Sequence, residues 1–346
     1  SVALVALSGG RAAATAGMRY LLVSLLGSLA YLMGVALLYG AFGTLDIALL
    51  GELMAPAPAV WAAIALMTLG MLLKTALFPL HFWLPPAHAG APSPASALLS
   101  GLVVKGSFYL LLRLWFDVFP EVLPPLAGQL LGGLGAAAIL WGSLLALRQE
   151  RLKMLLAYST VAQVGYLFLL YPLAAETHWG AGAWSGGVYY ALSHACAKAA
   201  VFMTAGIILE VRGTDEIGKL RGISEHLPLT VMTFATAGIA LMGLPPSGGF
   251  TGKWLLLAAA IESGQWWYSA VVVAGGLLAA GYLLRFLTPA FTVESPGDHR
   301  ERPLRAPRAL EVPAFLLALL ALLLGLVSSP LVELLRIGAP FPGEVF

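Results

Sequence analysis

The chain has 346 residues, of which 60% are apolar and only 10% charged, with a formal net charge of +2. A soluble domain typically carries about 25% charged residues, so this composition argues against a soluble globule and favours a lipid environment. The single cysteine, Cys196, excludes a disulfide framework and a multi-cysteine metal or cluster site. The sequence has no basic patch with interleaved aromatic residues, so it gives no indication of nucleic-acid binding.

Apolar segments long enough to cross a bilayer recur along the whole chain. After a helical stub at 1–8, hydropathy and turn residues predict spans near 18–40, 58–80, 95–118, 126–147, 153–171, 185–209, 227–262, 266–290 and 311–337. The start at Ser1 lacks a basic leader region, so we expect a shortened chain whose first helix is incomplete. We therefore predict an all-α polytopic membrane protein with about nine to ten transmembrane helices.

Prolines and glycines interrupt two of these spans. The stretch 227–262 is too long for one crossing and contains GLPPSGGF at 243–250, whereas 58–80 runs through Pro79 into HFWLPPAHAGAPSP. Proline breaks the helical hydrogen-bond ladder, and broken helices at membrane depth are tolerated only where protein or a wet cavity satisfies the freed backbone groups. Both breaks are therefore candidate transport sites.

Basic residues concentrate in alternate loops between the predicted spans. They are Arg11, Arg19, Arg148, Arg151, Lys153, Arg212, Lys219, Arg221, Arg300, Arg302, Arg305 and Arg308. The intervening loops, 41–56, 119–125 and 172–184, contain acids but neither lysine nor arginine. The positive-inside rule then predicts that the basic loops, the HFWLPPAHAGAPSP segment and the stretch 294–308 lie on the cytoplasmic side of a bacterial inner membrane.

Four lysines, Lys74, Lys105, Lys198 and Lys253, fall inside the predicted spans. A lysine at the centre of a membrane helix costs about 2.5–3.5 kcal/mol on insertion scales. A static ion pair would offset this cost, but the spans contain almost no acids. Because a low dielectric favours the neutral amine, such lysines can exchange protons near neutral pH. We therefore predict a proton pathway along them.

The histidines near these lysines allow more than one interpretation. His194 precedes Lys198 by one helical turn on the same face, where it is either a packing residue or a relay partner. His81 and His88 lie in the proline-rich segment, where helix capping and loop ordering are the favoured roles. Neither has the carboxylate or cysteine neighbours of a metal site, and we predict no metal.

A polar stripe follows the span 153–171 at helical spacing. Ser159, Gln163 and Tyr166 either hold water between lysines or hydrogen-bond a neighbouring helix. Arg113 and Arg285 lie near span ends, where long basic side chains snorkel. The chain has no phosphate-binding glycine loop or nucleophile elbow, so we expect an ion-transport subunit without a cofactor, not an enzyme.

Four segments carry a family resemblance. The segment LLKTALFPLHFWLPPAHAGAPSPASALLSGLVVKGSFYLLLR (72–113) resembles a signature of the proton-conducting antiporter-like membrane subunits of Mrp-type cation/proton antiporters, respiratory complex I and membrane-bound hydrogenases. RLKMLLAYSTVAQVGY (151–166), LSHACAKAAVFMTAGIIL (192–209) and GLPPSGGFTGKWLLL (243–257) resemble three further signatures in the same order. SALLSGLVVKGSFYLLLR looks most similar to the D-type subunits of the Mrp antiporters.

The resemblance implies inverted five-helix repeats, each with a broken helix and a buried lysine. It divides the chain into an incomplete first repeat (1–118), a complete second repeat (126–290), and a basic cytoplasmic loop with a C-terminal transmembrane helix (291–346). Lys74 matches the broken-helix lysine of the first repeat and Lys105 its connecting lysine. Lys198, with His194, matches the central position of the second repeat, and Lys253 matches its broken-helix ion.

The chain departs from the family at one position. The family's first repeat carries a buried glutamate on an earlier helix, and no span here supplies an equivalent. The resemblance implies a proton-translocating subunit of a multi-subunit Mrp-type Na⁺/proton antiporter, with other membrane subunits and the lipid bilayer as partners and with protons and sodium as the transported ions. The alternatives are an antiporter-like subunit of a complex I-like oxidoreductase or membrane-bound hydrogenase, and a non-conducting structural subunit.

Overall fold

The computed structural model describes residues 1–175, 180–292, 306–337 and 339–341. Within these ranges, eight helical segments are long and apolar enough to cross a membrane: Gly10–Phe42, Pro58–Gly90, Ser93–Val118, Pro125–Leu147, Leu152–Ala174, Gly180–Arg212, Trp266–Phe291 and Arg308–Leu326. The predicted all-α polytopic class is confirmed. The predicted loop at 294–308 lies mostly outside the described residues.

The described residues form a series of α-helices in chain order. They are α1 Val2–Ala6, α2 Gly10–Phe42, α3 Ile47–Leu53, α4 Pro58–Thr75, α5 Leu84–Gly90, α6 Ser93–Leu98, α7 Val104–Arg113, α8 Pro125–Leu147, α9 Leu152–Phe168, α10 Leu170–Ala174, α11 Gly180–Arg212, α12 Ile223–His226, α13 Pro228–Met242, α14 Gly248–Glu262, α15 Trp266–Phe291, α16 Arg308–Leu326 and α17 Ser328–Ile337. Short π-helical stretches at Leu99–Val103 and Leu114–Val118 continue α6 and α7 into one span.

Helix α9 is the central helix of the bundle. The most apolar stretch of Leu152–Ala174 is 89% buried within the protein, whereas that of Gly10–Phe42 is 17% buried. Helix α2 instead exposes large apolar side chains such as Leu22, Leu26 and Leu32, as expected of a helix that faces lipid. Polar groups on α9 are therefore shielded from both lipid and water.

The first helix break lies inside the bundle. Helix α4 ends at Thr75, and Ala76 adopts a left-handed conformation with φ 57°. The chain then forms a 3₁₀ turn at Leu80–Trp83 before α5, and the indole Nε1 of Trp83 donates to the carbonyl of Leu73 at 2.9 Å. The sequence predicts a loop for the HFWLPPAHAGAPSP segment. It instead forms a 3₁₀ turn and α5 inside the protein, where the Trp83 indole supplies a donor to a carbonyl at the end of α4.

The second break follows α13, as GLPPSGGF predicts. Gly243 ends the helix with φ 82°, a conformation that favours glycine, and Ser247 caps α14 by accepting from the Phe250 amide at 3.2 Å. The ammonium of Lys253 donates to the carbonyls of Leu241 and Met242 at 2.9 and 3.2 Å. A lysine from the second half of the broken helix thus satisfies carbonyls freed at the end of the first.

The C-terminal span differs from its prediction. The sequence predicts one helix over 311–337, but α16 ends at Leu326 and α17 begins at Ser328. Gly325 lies so close to Pro246 and Ser247 that a Cβ there would overlap their backbone atoms. The end of α16 therefore packs directly against the second helix break, a tertiary contact that the sequence pattern does not reveal.

Gly249→Ala tests the close packing of α13 on α14. A Cβ at Gly249 would overlap the Ala240 carbonyl oxygen, so we expect a loss of about 1–3 kcal/mol of stability, measured by thermal unfolding of the purified protein. Gly133→Ala in α8 is the control because a Cβ there meets no neighbouring atom, and it should stabilise slightly. Equal unfolding temperatures for the two variants would contradict the packing described for the break.

Candidate functional site

Three of the four span lysines lie buried around α9. Lys105 of α7 is 9% exposed, Lys198 of α11 is 0% exposed and Lys253 of α14 is 5% exposed. Among the described residues, no ion pair joins any of them or Lys74 to a carboxylate. A static ion pair, the structural alternative considered for these lysines, is therefore not supported. The buried amines are satisfied by carbonyls and hydroxyls instead.

A series of hydrogen bonds connects Lys105 to Lys198. The Lys105 amine donates to the Ser100 carbonyl, and the Ser100 hydroxyl is hydrogen-bonded to the Thr160 hydroxyl of α9 at 3.0 Å. The Thr160 hydroxyl donates to the Leu156 carbonyl at 3.0 Å, and the Lys198 amine donates to the same carbonyl at 2.9 Å. The Lys198 amine and the Thr160 hydroxyl, which contacts the residue that accepts from Lys105, thus share one carbonyl acceptor on α9.

A second series leads from Lys198 along the same helix. The Lys198 amine donates to the Ser159 hydroxyl, which also lies close enough to the hydroxyl of Tyr282 on α15 to interact with it. The Gln163 side-chain amide donates to the Tyr282 hydroxyl at 2.7 Å. Tyr282 therefore bridges two polar residues that are one turn apart on α9.

Gln163 completes the connection to Lys253. Its Nε2 donates to the Leu241 carbonyl at 3.1 Å, and the Lys253 amine donates to that carbonyl at 2.9 Å. We call the connected residues the polar path: Lys105, Ser100, Thr160, Leu156, Lys198, Ser159, Tyr282, Gln163, Leu241 and Lys253. It places three lysines, four hydroxyl side chains and one amide side chain next to one another, with the backbone carbonyls of Ser100, Leu156 and Leu241 as shared or terminal acceptors.

Two tyrosine rings flank the end of the polar path. The Lys253 ammonium lies 4.2 Å from the Tyr166 ring centroid and 5.6 Å from that of Tyr190, distances at which a cation is attracted to an aromatic face. The Tyr190 hydroxyl donates to the Gln163 amide oxygen. Two members of the predicted stripe, Ser159 and Gln163, thus belong to the path, whereas Tyr166 contacts its terminal lysine.

His194 lies beside the polar path without a direct hydrogen bond to it. It is 1% exposed, and its ring stacks on Tyr190 at 5.7 Å with an interplanar angle of 4°. Neither ring nitrogen has a hydrogen-bond partner within the described residues, and Lys105, Lys198 and Lys253 all interact with it electrostatically. A buried imidazole with two unused nitrogens is unusual. Because His194 has no hydrogen bond to the polar path, its role as a relay partner stays a prediction.

His88 and Lys153 are buried near the path, although the sequence predicts a loop position for both. His88 is fully buried, stacks on Phe202 at 4.5 Å and has no hydrogen-bond partner in the described parts of the chain. The capping role expected of it is therefore wrong. Lys153 is 4% exposed and donates to the Ala91 carbonyl at 2.5 Å. No sequence signal shows that the proline-rich segment packs into the bundle.

Lys74 lies apart from the polar path. It is half-buried and lines a cavity of about 360 Å³ together with Tyr20, Ser24, Gly106 and Ser107. Water occupies about 30 Å³ per molecule in the liquid, so this cavity has room for several waters between Lys74 and the helix that carries Lys105. Lys74 makes no hydrogen bond to the described residues of the polar path, so it would need water to exchange a proton with Lys105.

The two arginines near span ends differ from each other. Arg113 forms an ion pair with Asp117 one turn later in the same span. Arg285 is exposed near the C-terminal end of α15, as expected of a side chain that snorkels. Neither arginine contacts the polar path.

Known proteins share both sequence and fold with this chain. The sequence profile described as NADH:quinone oxidoreductase/Mrp antiporter, TM matches residues 1–279. The N-type subunit of the NADH-quinone oxidoreductase of Desulforudis audaxviator is 36% identical over 94% of this chain and 67% of its own length. The D-type subunit of the Na(+)/H(+) antiporter of Alkalihalophilus pseudofirmus is 30% identical over 96% of this chain and 67% of its own.

A solved structure shows the same fold. A chain of the Mrp complex from Dietzia sp. DQ12-45-1b superposes with a TM-score of 0.84 at 28% identity, over 95% of this chain and 68% of that one. The chain described here thus spans about two thirds of the length of these relatives.

Proposed function

We propose that this chain, which belongs to the NADH:quinone oxidoreductase/Mrp antiporter transmembrane family, is an antiporter-like membrane subunit that conducts protons along the polar path. The burial of Lys105, Lys198 and Lys253 around α9, with hydroxyl groups placed between them, supports this proposal most strongly. A proton pathway needs groups that bind and release protons and that are connected by hydrogen-bonding groups or water. The polar path supplies three amines and the hydroxyls of Ser159, Thr160 and Tyr282 in a bundle interior shielded from lipid.

The electrostatics of neighbouring lysines give the path a way to operate. Like charges in a low-dielectric site disfavour each other, and Lys105 and Lys198 are near enough for their charges to interact. A proton that arrives at Lys105 therefore favours release of a proton from Lys198 to the Ser159 hydroxyl and on to Tyr282. The Gln163 side-chain amide donates and the Leu241 carbonyl accepts, and neither passes a proton on, so water held beside them carries the last transfer to Lys253. In this scheme, adjacent lysines alternate in protonation, with His194 as a relay partner beside them.

Within the family, we propose a multi-subunit Mrp-type Na⁺/proton antiporter. The amino-acid sequence of residues 96–113 and the lysine at position 253 support this assignment. The Na(+)/H(+) antiporter subunit of A. pseudofirmus is a relative. The alternative is a subunit of a complex I-like oxidoreductase, favoured by the 36% identity to the oxidoreductase subunit of D. audaxviator. In either assignment the chain is an ion-transport subunit, and the chemistry of any redox reaction lies in other chains.

The proposal includes partners, topology and repeats. Other membrane subunits assemble with the chain in a bacterial inner membrane, and the basic loops face the cytoplasm, consistent with their charge. Residues 1–118 belong to one antiporter-like repeat and residues 126–290 form another. Lys74, on the first repeat, exchanges protons with Lys105 through water in the cavity between them.

A sodium-jump experiment separates the candidate functions. The native complex is reconstituted into vesicles with a pH-sensitive dye, and an external pulse of NaCl is compared with an equal pulse of choline chloride. If the chain belongs to an antiporter, we expect a pH change after the NaCl pulse and none after the choline chloride pulse. In a second arm, an electron donor is added instead of salt, and a pH change only in this arm would support the complex I-like assignment. If an intact complex moves no protons with sodium or with the electron donor, proton conduction is overturned and a structural subunit remains.

A further inference from the structure

We propose that the C-terminal end of α15 carries a binding site for the phosphate group of an anionic phospholipid. A cavity of about 550 Å³ lies there, and Arg221, Arg285 and Thr288 line it together with Glu150 and Glu216. None of these residues belongs to the polar path, and the proposed proton pathway does not use them. Basic pockets at a membrane edge bind lipid headgroups.

Arg285 places a positive charge at the boundary between lipid and water. It lies six residues before the end of α15 at Phe291, about 9 Å along the helix at 1.5 Å per residue. Leu277 and Leu284, 70% and 49% exposed, lie on the membrane side of it along the helix. An acyl chain that follows these leucines would bring its headgroup to Arg285. No carboxylate in the described ranges forms an ion pair with this arginine.

The opposite wall of the cavity is fixed to α15 through the backbone. The Gly222 amide donates to the Pro289 carbonyl at 3.1 Å, which holds the neighbouring Arg221 beside the end of the helix. A guanidinium group matches the geometry of a phosphate and can donate two parallel hydrogen bonds to two of its oxygens. Arg221 from the loop and Arg285 from the helix can therefore approach one phosphate from two sides, with the Thr288 hydroxyl as an additional donor.

The acids of the cavity set the strength and selectivity of this site. Glu216 is neutralised by Lys219, whose ammonium lies 2.7 Å from its carboxylate. Glu150 forms no ion pair with any described residue. Two arginines against one uncompensated carboxylate leave a single net positive charge, which suits a headgroup with one negative charge. Glu150 weakens the attraction, so its neutralisation should strengthen binding.

Lipid titration of the native complex in detergent tests the site. Phosphatidylglycerol, phosphatidylcholine and inorganic phosphate are added separately, and bound lipid is counted by native mass spectrometry. We expect phosphatidylglycerol to bind in preference to phosphatidylcholine. The Arg221→Gln/Arg285→Gln double variant should weaken the binding about 30-fold, and Glu150→Gln should strengthen it. Arg148→Gln is the matched control because Arg148 lies on the same side but does not line the cavity.

The alternative results are distinguishable. Equal binding of phosphatidylglycerol by the double variant and by Arg148→Gln would overturn the site. Binding of inorganic phosphate alone would assign the cavity to a soluble anion, and lack of any binding because a partner subunit covers the cavity would also overturn the lipid proposal. These results measure lipid binding and not proton flux, so they test the lipid site independently of the proposed function.

Discussion

Lys198→Ala is expected to lower proton flux through the reconstituted complex about 100-fold, within the range that a positioned proton-transfer group contributes. Lys198 is the member of the polar path at which its two halves meet, since its amine contacts both the Leu156 carbonyl and the Ser159 hydroxyl. Its side chain is fully buried, so bulk water does not replace it easily. The measurement is the rate of dye-reported pH change in vesicles.

Two companion variants separate proton exchange from structure. Lys198→Arg keeps the charge, but a guanidinium does not release its proton in proteins, so flux should stay low while assembly is retained. Lys219→Ala removes an exposed lysine that pairs with Glu216 and should leave flux unchanged. Normal flux through an assembled Lys198→Ala complex would contradict a relay through this residue.

Gln163→Leu is expected to have the second largest effect. Its amide donates to the Tyr282 hydroxyl and the Leu241 carbonyl and accepts from the Tyr190 hydroxyl. Leucine has similar bulk and no polar side-chain atoms, so it disconnects Lys198 from Lys253. We expect proton flux to fall by at least about tenfold, together with a stability loss of about 1–3 kcal/mol from the polar groups left unpaired.

Gln129→Leu controls for the stability loss. The Gln129 amide donates to Gln265 at 2.7 Å and accepts from the Tyr268 hydroxyl at 3.0 Å, away from the polar path. Both variants should lower the unfolding temperature, but only Gln163→Leu should lower the flux per assembled complex. Equal flux in the two variants would show that Gln163 stabilises the bundle without conducting.

The lysines of the polar path could be predicted from the sequence because charge is rare inside apolar spans. Lys105, Lys198 and Lys253 stand out for that reason alone, and the stripe of Ser159 and Gln163 follows from helical spacing. The partners on other helices could not be predicted in this way. Tyr282 is one aromatic residue among many in an apolar span, and only the packing of α15 against α9 brings its hydroxyl between Ser159 and Gln163.

The helix breaks show the same division between local and tertiary information. Prolines and glycines at 243–250 predict the second break correctly. The prolines after Pro79 disrupt helical periodicity and predict a loop, yet the Trp83 indole compensates for a lost backbone partner and the segment folds into the bundle. The same local reasoning predicts a capping role for His88, although the structure buries it against Phe202.

The structure also distinguishes among the four lysines. Three of them are buried and belong to the polar path, whereas Lys74 faces a cavity and makes no such contact in the described residues. The proposed pathway is therefore most complete from Lys105 to Lys253. The step from Lys74 to Lys105 depends on water.

The central claim is that the polar path connects Lys198 to Lys253, and Tyr282→Phe tests it by removing one hydroxyl. This hydroxyl bridges Ser159 and Gln163, whereas that of Tyr268 donates to Gln129 off the path. Proton flux per assembled complex is measured for Tyr282→Phe and Tyr268→Phe side by side. We expect about a tenfold loss for Tyr282→Phe, equivalent to about 1.4 kcal/mol, and none for Tyr268→Phe. Equal flux in the two variants would contradict conduction along the polar path.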